Sequence, residues 1–156
     1  MRVPTSLRPS ALTAEEIAQR CADIMWPDDH AARGLGIELV SVGPGVATLR
    51  MAVRQDMVNG HGSCHGGFIF AIADSAFAYS CNTYNHRAVA SGADISFLAP
   101  AHLGDVLTAH GHVRQQGGRS GVYDIEVTNQ DGRMIALFRG RSTRIKGHFF
   151  EEATPI

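Results

Sequence analysis

Between Asn59 and Asp74 several side chains that could do chemistry lie close together in the chain. Residues 57–80 read MVNGHGSCHGGFIFAIADSAFAYS. Asn59, His61, Cys64 and His65 supply an amide, two imidazoles and a thiol among four glycines, and Asp74 is a lone carboxylate in the apolar run that follows. Glycine is unfavourable inside a helix but suits backbone that turns or meets a ligand. The run is therefore expected to break into a loop and a helix from about Gly66 to Cys81. The first N–H groups of such a helix lack intrahelical partners and lie at the positive end of its dipole. With Gly66 and Gly67 leaving them unshielded, they suit an oxyanion, either a bound anion or the tetrahedral intermediate of acyl transfer.

Asp74 is eight residues beyond Gly66. At about 1.5 Å per residue this is roughly 12 Å along one helix. A carbonyl held at the helix start cannot touch that carboxylate. Either Asp74 is structural, paired with an arginine or a backbone donor, or the acid that reacts comes from a second subunit whose helix runs antiparallel. A zinc site at His61, Cys64 and His65 has suitable ligand types. The glycines, however, oppose a regular helix that would put the histidines on one face, and nothing ties His110 and His112 to this loop. No metal is expected. Cys64 as nucleophile, with His61 or His65 as base, leaves Asp74 unexplained.

The flanking elements must position this segment. Residues 1–12 carry no periodicity and read as a mobile arm. Thr13-Ala14-Glu15-Glu16 is a capping box before Ile17, Cys21, Ile24 and Met25 at helical spacing, and Pro27 ends that helix. A short helical segment around 28–33 follows. From Gly34 the period becomes two: GIELVSV, a Pro44-Gly45 turn and VATLRMAVR form a hairpin, with Leu49, Met51 and Val53 on one face. After the central segment come AVASGADISFL, DVLTAHGHVRQ, SGVYDIEVTN and MIALFRGRSTRI, with a hairpin turn at Asp131-Gly132. The tail after Lys146 reads as frayed. The fold class is α+β: a sheet of about six strands that must be covered by the one long apolar helix.

Size and composition limit the function classes. The 156 residues suit one domain, and hydrophobic and charged contents of 44% and 19% are ordinary for a globular protein. A net charge of −1 gives no basic field for nucleic acid or an anionic membrane. Cys21, Cys64 and Cys81 form no CxxC pair, which fits a reducing compartment and a cytoplasmic location. The start MRVPTSLRPSALTAEE lacks the long apolar stretch of a signal peptide. The run from Gly66 to Ser80 is too short to span a membrane and carries Asp74.

NGHGSCHGGFIFAIADSAFAYSCN, with GVYDIEVTNQ and IALFRGRSTRI, resembles the acyl-CoA thioesterases of phenylacetic acid degradation, a family of the hotdog superfamily. The resemblance runs from about Gly34 to Gly147, and its specific element is HGG-x6-D in an N-G-H-x3-H-G-G context. It implies a curved antiparallel sheet wrapped around the central helix, with the N-terminal helix as an addition. It also implies roles. The Gly66 N–H polarises the thioester carbonyl, with Gly67 beside it. Asp74 of the opposite subunit is general base or nucleophile. Asn59 positions the nucleophile or the thioester, and His65 adjoins the oxyanion donor. Ser91 is near a strand position that offers a hydroxyl to the attacking water. Arg119, in RQQGGRSGVYD, lies in a segment near the coenzyme A entrance, where cations meet phosphates. The partners implied are an acyl-CoA substrate of the phenylacetyl or hydroxyphenylacetyl type and a second copy of the chain, in homodimers assembled into homotetramers. No cofactor is required, because a thioester is already activated and needs only an oxyanion donor and a carboxylate.

Two other functions fit parts of the pattern. A hotdog dehydratase or hydratase also uses a histidine and an acid on acyl thioesters, but at the acyl chain. A non-catalytic acyl-CoA-binding module would leave the thioester intact, yet gains little from a buried acid.

Overall fold

The computed structural model describes residues 11–152. The expected mobile arm at 1–12 lies outside that range except for Ala11 and Leu12. Helix α1 (Ala14–Met25) starts at the expected capping box: the Thr13 hydroxyl accepts the Glu16 N–H at 3.2 Å, and the Glu16 carboxylate accepts the Thr13 N–H at 3.4 Å. It buries Ala18, Cys21 and Ala22 and gives way to a 3-10 turn carrying Pro27. The short α2 (His30–Gly34) is capped by Asp29, whose Oδ1 accepts the Ala32 N–H. The other oxygen of Asp29 accepts the Tyr79 hydroxyl at 2.9 Å and so ties this corner to the central helix.

Strands β1 (Glu38–Gly43) and β2 (Val46–Ala52) form the first hairpin. Helix α3 (Gly66–Cys81) comes next, then β3 (Ala88–Phe97), β4 (Val106–Gly117), β5 (Ser120–Thr128) and β6 (Met134–Arg144). All six strands join one antiparallel sheet in the order β1-β2-β4-β5-β6-β3, so β1 and β3 are its edges. Tyr123, Ile125 and Val127 are buried on the concave face, and Leu49, Met51 and Val53 share their burial, as the period-two pattern requires. Helix α3 fills the concavity with Ile69, Ile72, Ala73, Ala76 and Phe77. Phe77 meets Tyr123 and Phe138 at centroid distances of 5.9 Å each. A buried side chain of this size contributes about 1.5–3 kcal/mol by removal from water. This is the α+β hotdog architecture.

Helix and sheet share a common frame. Asn82, which caps the end of α3, exchanges hydrogen bonds with the backbone of Ala88 at the start of β3. At the other end, Phe97 of β3 lies against Gly66. Strand β3 thus runs antiparallel to the helix.

The expected fraying after Lys146 is overturned as far as Glu152. The Asn85 carboxamide, buried and at φ +57°, accepts the N–H groups of Phe149 and Phe150 and donates to the Phe150 carbonyl and the Glu152 carboxylate. Arg20 and Arg87 lie over the rings of Phe150 and Phe149 at 4.4 and 4.5 Å. Polar and cationic partners far away in sequence hold a segment that has no periodicity of its own. Among the described residues, no helix is long and apolar enough to cross a membrane.

Candidate active site

The loop before α3 is a miniature hairpin. Val58 and Cys64 form an isolated bridge, and within it the Asn59 N–H donates to the Ser63 carbonyl while the Gly62 N–H donates to the Asn59 carbonyl. The Asn59 Oδ1 accepts the N–H groups of His61 (2.9 Å) and Ser63 (3.3 Å). The same set recurs in the β5–β6 turn. Asn129 bonds Arg133 and Gly132 through its backbone and accepts from Asp131 and Arg133 through its Oδ1. Gly62 and Gly132 hold matching φ values of +80° and +77°. This turn geometry therefore accounts for the Asn59 oxygen. It leaves the Nδ2 of Asn59 without a partner among the described residues.

The loop is anchored on both sides of the helix start, by the Cys64 N–H to the Ala101 carbonyl and the His65 N–H to the Met57 carbonyl, each at 2.8 Å. His65 is the N-cap of α3, and its Nδ1 accepts the Gly67 N–H at 2.9 Å. That bond needs the lone pair on Nδ1, so the proton of the neutral ring is on Nε2, at an exposed edge. The Phe68 N–H is also satisfied, by the His65 carbonyl. Gly66 alone of the three keeps a free N–H among the described residues. The phenyl of Phe97 rests on its Cα: a Cβ at Gly66 would come within 2.9 Å of that ring.

Asp74 is half-buried on α3, and its carboxylate makes no ion pair among the described residues. Desolvation raises its pKa above the ordinary carboxylate value. It belongs to the helix stripe of Gly67, Phe70, Ala71, Asp74, Ser75 and Ala78, none of which is buried by the chain's own sheet. Ser91 occupies the β-bulge between Ala90 and Gly92, and its hydroxyl donates to the Arg141 carbonyl at 3.1 Å. Three strand residues, about 10 Å, separate Ser91 from Ala88. Eight helix residues, about 12 Å, separate Asp74 from Asn82. Since Asn82 and Ala88 are bonded, Ser91 and Asp74 stand at one level of the fold.

The sequence-predicted residues thus fall into separate groups. Asn59, His65, Gly66 and Gly67 meet at the helix start. Asp74 and Ser91 are level with one another part-way down. Arg119 is exposed in the β4–β5 turn, where its carbonyl accepts the Arg144 N–H, at the end of the sheet away from the helix start. Phe97 is a member of the first group that the motif reading missed. Its alternation with Ile95 and Ala93 was the available signal.

The loop thiol is poorly placed to act as a nucleophile. Cys64 is buried, its Sγ points at the His65 carbonyl, and burial pushes its pKa up, away from thiolate. Among the described residues no three His, Cys, Asp or Glu side chains converge as metal ligands.

The thioesterase superfamily model matches residues 61–136, which run from the helix-start loop into β6. The chain is 50% identical to the acyl-coenzyme A thioesterase PaaI of Escherichia coli K12 over 132 residues, covering 85% of this chain and 94% of that one. The solved structure of the E. coli PaaI protein superposes with a TM-score of 0.86 at 48% identity, over 87% of this chain and 99% of that one. A mutant structure of the phenylacetic acid degradation protein PaaI from Thermus thermophilus matches at TM-score 0.73 and 34% identity, over 75% of this chain and 100% of that one. The chain therefore belongs to the PaaI-type family of the hotdog-fold thioesterase superfamily, and it is a thioester hydrolase.

Proposed function

We propose that the chain hydrolyses aryl-acetyl-CoA thioesters, of the phenylacetyl or hydroxyphenylacetyl type, to the free acid and coenzyme A in the cytoplasmic catabolism of phenylacetate. The observation that carries the reading is the Gly66 N–H at the start of α3, free among the described residues, paired with a half-buried Asp74 that has no ion-pair partner among them, eight residues along the same helix. The names of the E. coli and T. thermophilus relatives supply the acyl-CoA and phenylacetate context.

One chain holds the two halves roughly 12 Å apart, so the site is composite. The uncovered stripe of α3 and the unpaired edge β3 are the surfaces that a second copy covers. An antiparallel partner helix brings its Asp74 and Ser91 to the Gly66 of this chain. The thioester carbonyl accepts the Gly66 N–H, and the His65 Nε2–H and Asn59 Nδ2 line the same spot. Asp74 of the partner subunit takes the proton of a water attacking the carbonyl carbon. The tetrahedral oxyanion collapses, the C–S bond breaks, and coenzyme A leaves as the thiolate. Direct attack by the carboxylate, which expels the thiolate and forms a mixed anhydride that water then hydrolyses to the free acid and Asp74, gives the same products with the same dependence on Asp74. Arg119, remote from its own helix start, meets the coenzyme A phosphates only when another subunit brings it there, in the dimer or in a tetramer of two dimers. The reaction needs no cofactor beyond the coenzyme A of its substrate.

Mixing inactive variants tests the reading. Asn59→Ala and Asp74→Ala chains, refolded together, are expected to recover up to about a quarter of wild-type thiol release from phenylacetyl-CoA. Half the dimers are mixed, and each carries one intact site. Subunit exchange without recovered activity refutes the composite site. A wild-type protein that leaves phenylacetyl-CoA intact refutes the function.

A further inference from the structure

Phe97 ends β3 on the concave side of the sheet, opposite Ala136 and in alternation with Ile95 and Ala93. A phenyl on that face is ordinarily core, yet Phe97 is 53% exposed, because β3 is an edge and the helix meets only one rim of the ring. The contact is with the tip. A Cβ at Gly66 would lie 2.9 Å from Cζ and 3.2 and 3.5 Å from the two Cε atoms. The rest of the ring remains open beside the free Gly66 N–H. One turn along α3, Phe70 is 36% exposed and stacks edge-to-face on Phe138 at 5.2 Å. The partly bare ring of Phe97 therefore borders the Gly66 amide, which has no partner among the described residues.

We propose that Phe97 is a specificity-determining residue: its exposed ring is the wall on which the aromatic part of an aryl-acetyl thioester packs while Gly66 holds the carbonyl. The inference rests on the thioesterase reading and extends it to the choice of acyl group. In an aryl-acetyl group one methylene joins the carbonyl carbon to the aromatic ring. A carbonyl bonded to the Gly66 N–H thus leaves that ring within reach of Phe97, at the range of about 4.5–7 Å between centroids at which offset or edge-to-face aromatic pairs form. A flexible straight chain in the same place gains area but no aromatic geometry, and loses more rotational freedom.

The test compares phenylacetyl-CoA with hexanoyl-CoA for wild type, Phe97→Leu and Phe97→Tyr. Leucine keeps an apolar side chain without the ring, and tyrosine keeps the ring. The ratio of kcat/KM for phenylacetyl over hexanoyl is expected to fall about fivefold in Phe97→Leu, mainly through KM, and to stay within about twofold in Phe97→Tyr. The same ratio, read as binding affinity in an Asp74→Asn background, is expected to move alike and does not depend on turnover. Phe97→Met replaces Phe97→Leu if the latter does not fold. An unchanged ratio, or an equal loss on both substrates, overturns the proposal. A wild type that hydrolyses neither thioester overturns the proposed aryl-acetyl substrate reading instead, and the binding ratio then judges Phe97 by itself.

Discussion

The Nδ1 of His65 accepts the backbone N–H of Gly67 at 2.9 Å, and this bond decides which amide of the helix start stays available. Among the described residues Gly67 has a partner and Gly66 has none. The same bond fixes the proton of the neutral imidazole on Nε2, so His65 both caps α3 and presents a donor outward. Asparagine is a good N-cap and can replace the first role, but its Nδ2 donor ends short of the place where the imidazole Nε2–H stands. In His65→Asn, thermal stability is expected to match wild type within about 0.5 kcal/mol, whereas His65→Ala loses about 1 kcal/mol. Both are expected to lose at least about tenfold in kcat/KM on phenylacetyl-CoA. Full activity in His65→Asn would reduce the histidine to a cap.

Asp74 should cost the fold some stability. Burial raises its folded pKa, so the native state holds the proton to higher pH than the unfolded chain does. Stability is then present below the unfolded value, about 3.9, is lost as pH rises through the folded value, and stays lost above it. Asp74→Asn removes that cost. The variant is expected to melt higher than wild type near neutral pH, with the difference closing as pH drops below about 4. Its thioesterase rate should fall at least about a hundredfold. In wild type kcat should rise with pH through the raised pKa and then level off. Melting curves across pH decide the point, and a variant that melts lower at neutral pH would mark Asp74 as structural.

Asn59 and Asn129 separate turn-building from catalysis, because they make the same four turn bonds. Aspartate keeps the accepting oxygen and the turn but removes the Nδ2 donor. Both Asn59→Asp and Asn129→Asp are expected to stay within about 1 kcal/mol of wild type in denaturant unfolding. Only Asn59→Asp should lose turnover, by about tenfold or more. Equal activity in the two variants would make Asn59 a turn residue and nothing else.

How far the sequence reveals this protein follows the range of the interactions involved. Thr13 with Glu16, the alternation of Tyr123, Ile125 and Val127, and the run from Gly66 to Cys81 are local patterns, and each appears in place. The helix-start group is legible for the same reason, since Asn59 to Gly67 lie within one loop. Ser91 resisted a register reading because it sits in a bulge, where the count of two fails. Phe97 against Gly66 and Asn85 against the tail are contacts between distant segments, carried by single residues with no periodicity to announce them.

The Asn85 clasp is a stability element with a sharp signature. Its carboxamide makes four bonds to residues 149–152, and its backbone is left-handed. Asn85→Gly keeps the φ angle at no steric cost but strands the N–H groups of Phe149 and Phe150. The loss is expected to be about 2–3 kcal/mol, since each buried donor without a partner costs about 1–3 kcal/mol unless water reaches it. Arg20 over Phe150 carries the damage to α1, so hydrogen exchange should speed up in α1 and in residues 147–152 while β5 and β6 keep their protection. Activity should survive at temperatures where the variant is folded, because none of these contacts reaches the Gly66 loop. Uniform loss of protection across the sheet would mean that the tail is an integral part of the cooperative core.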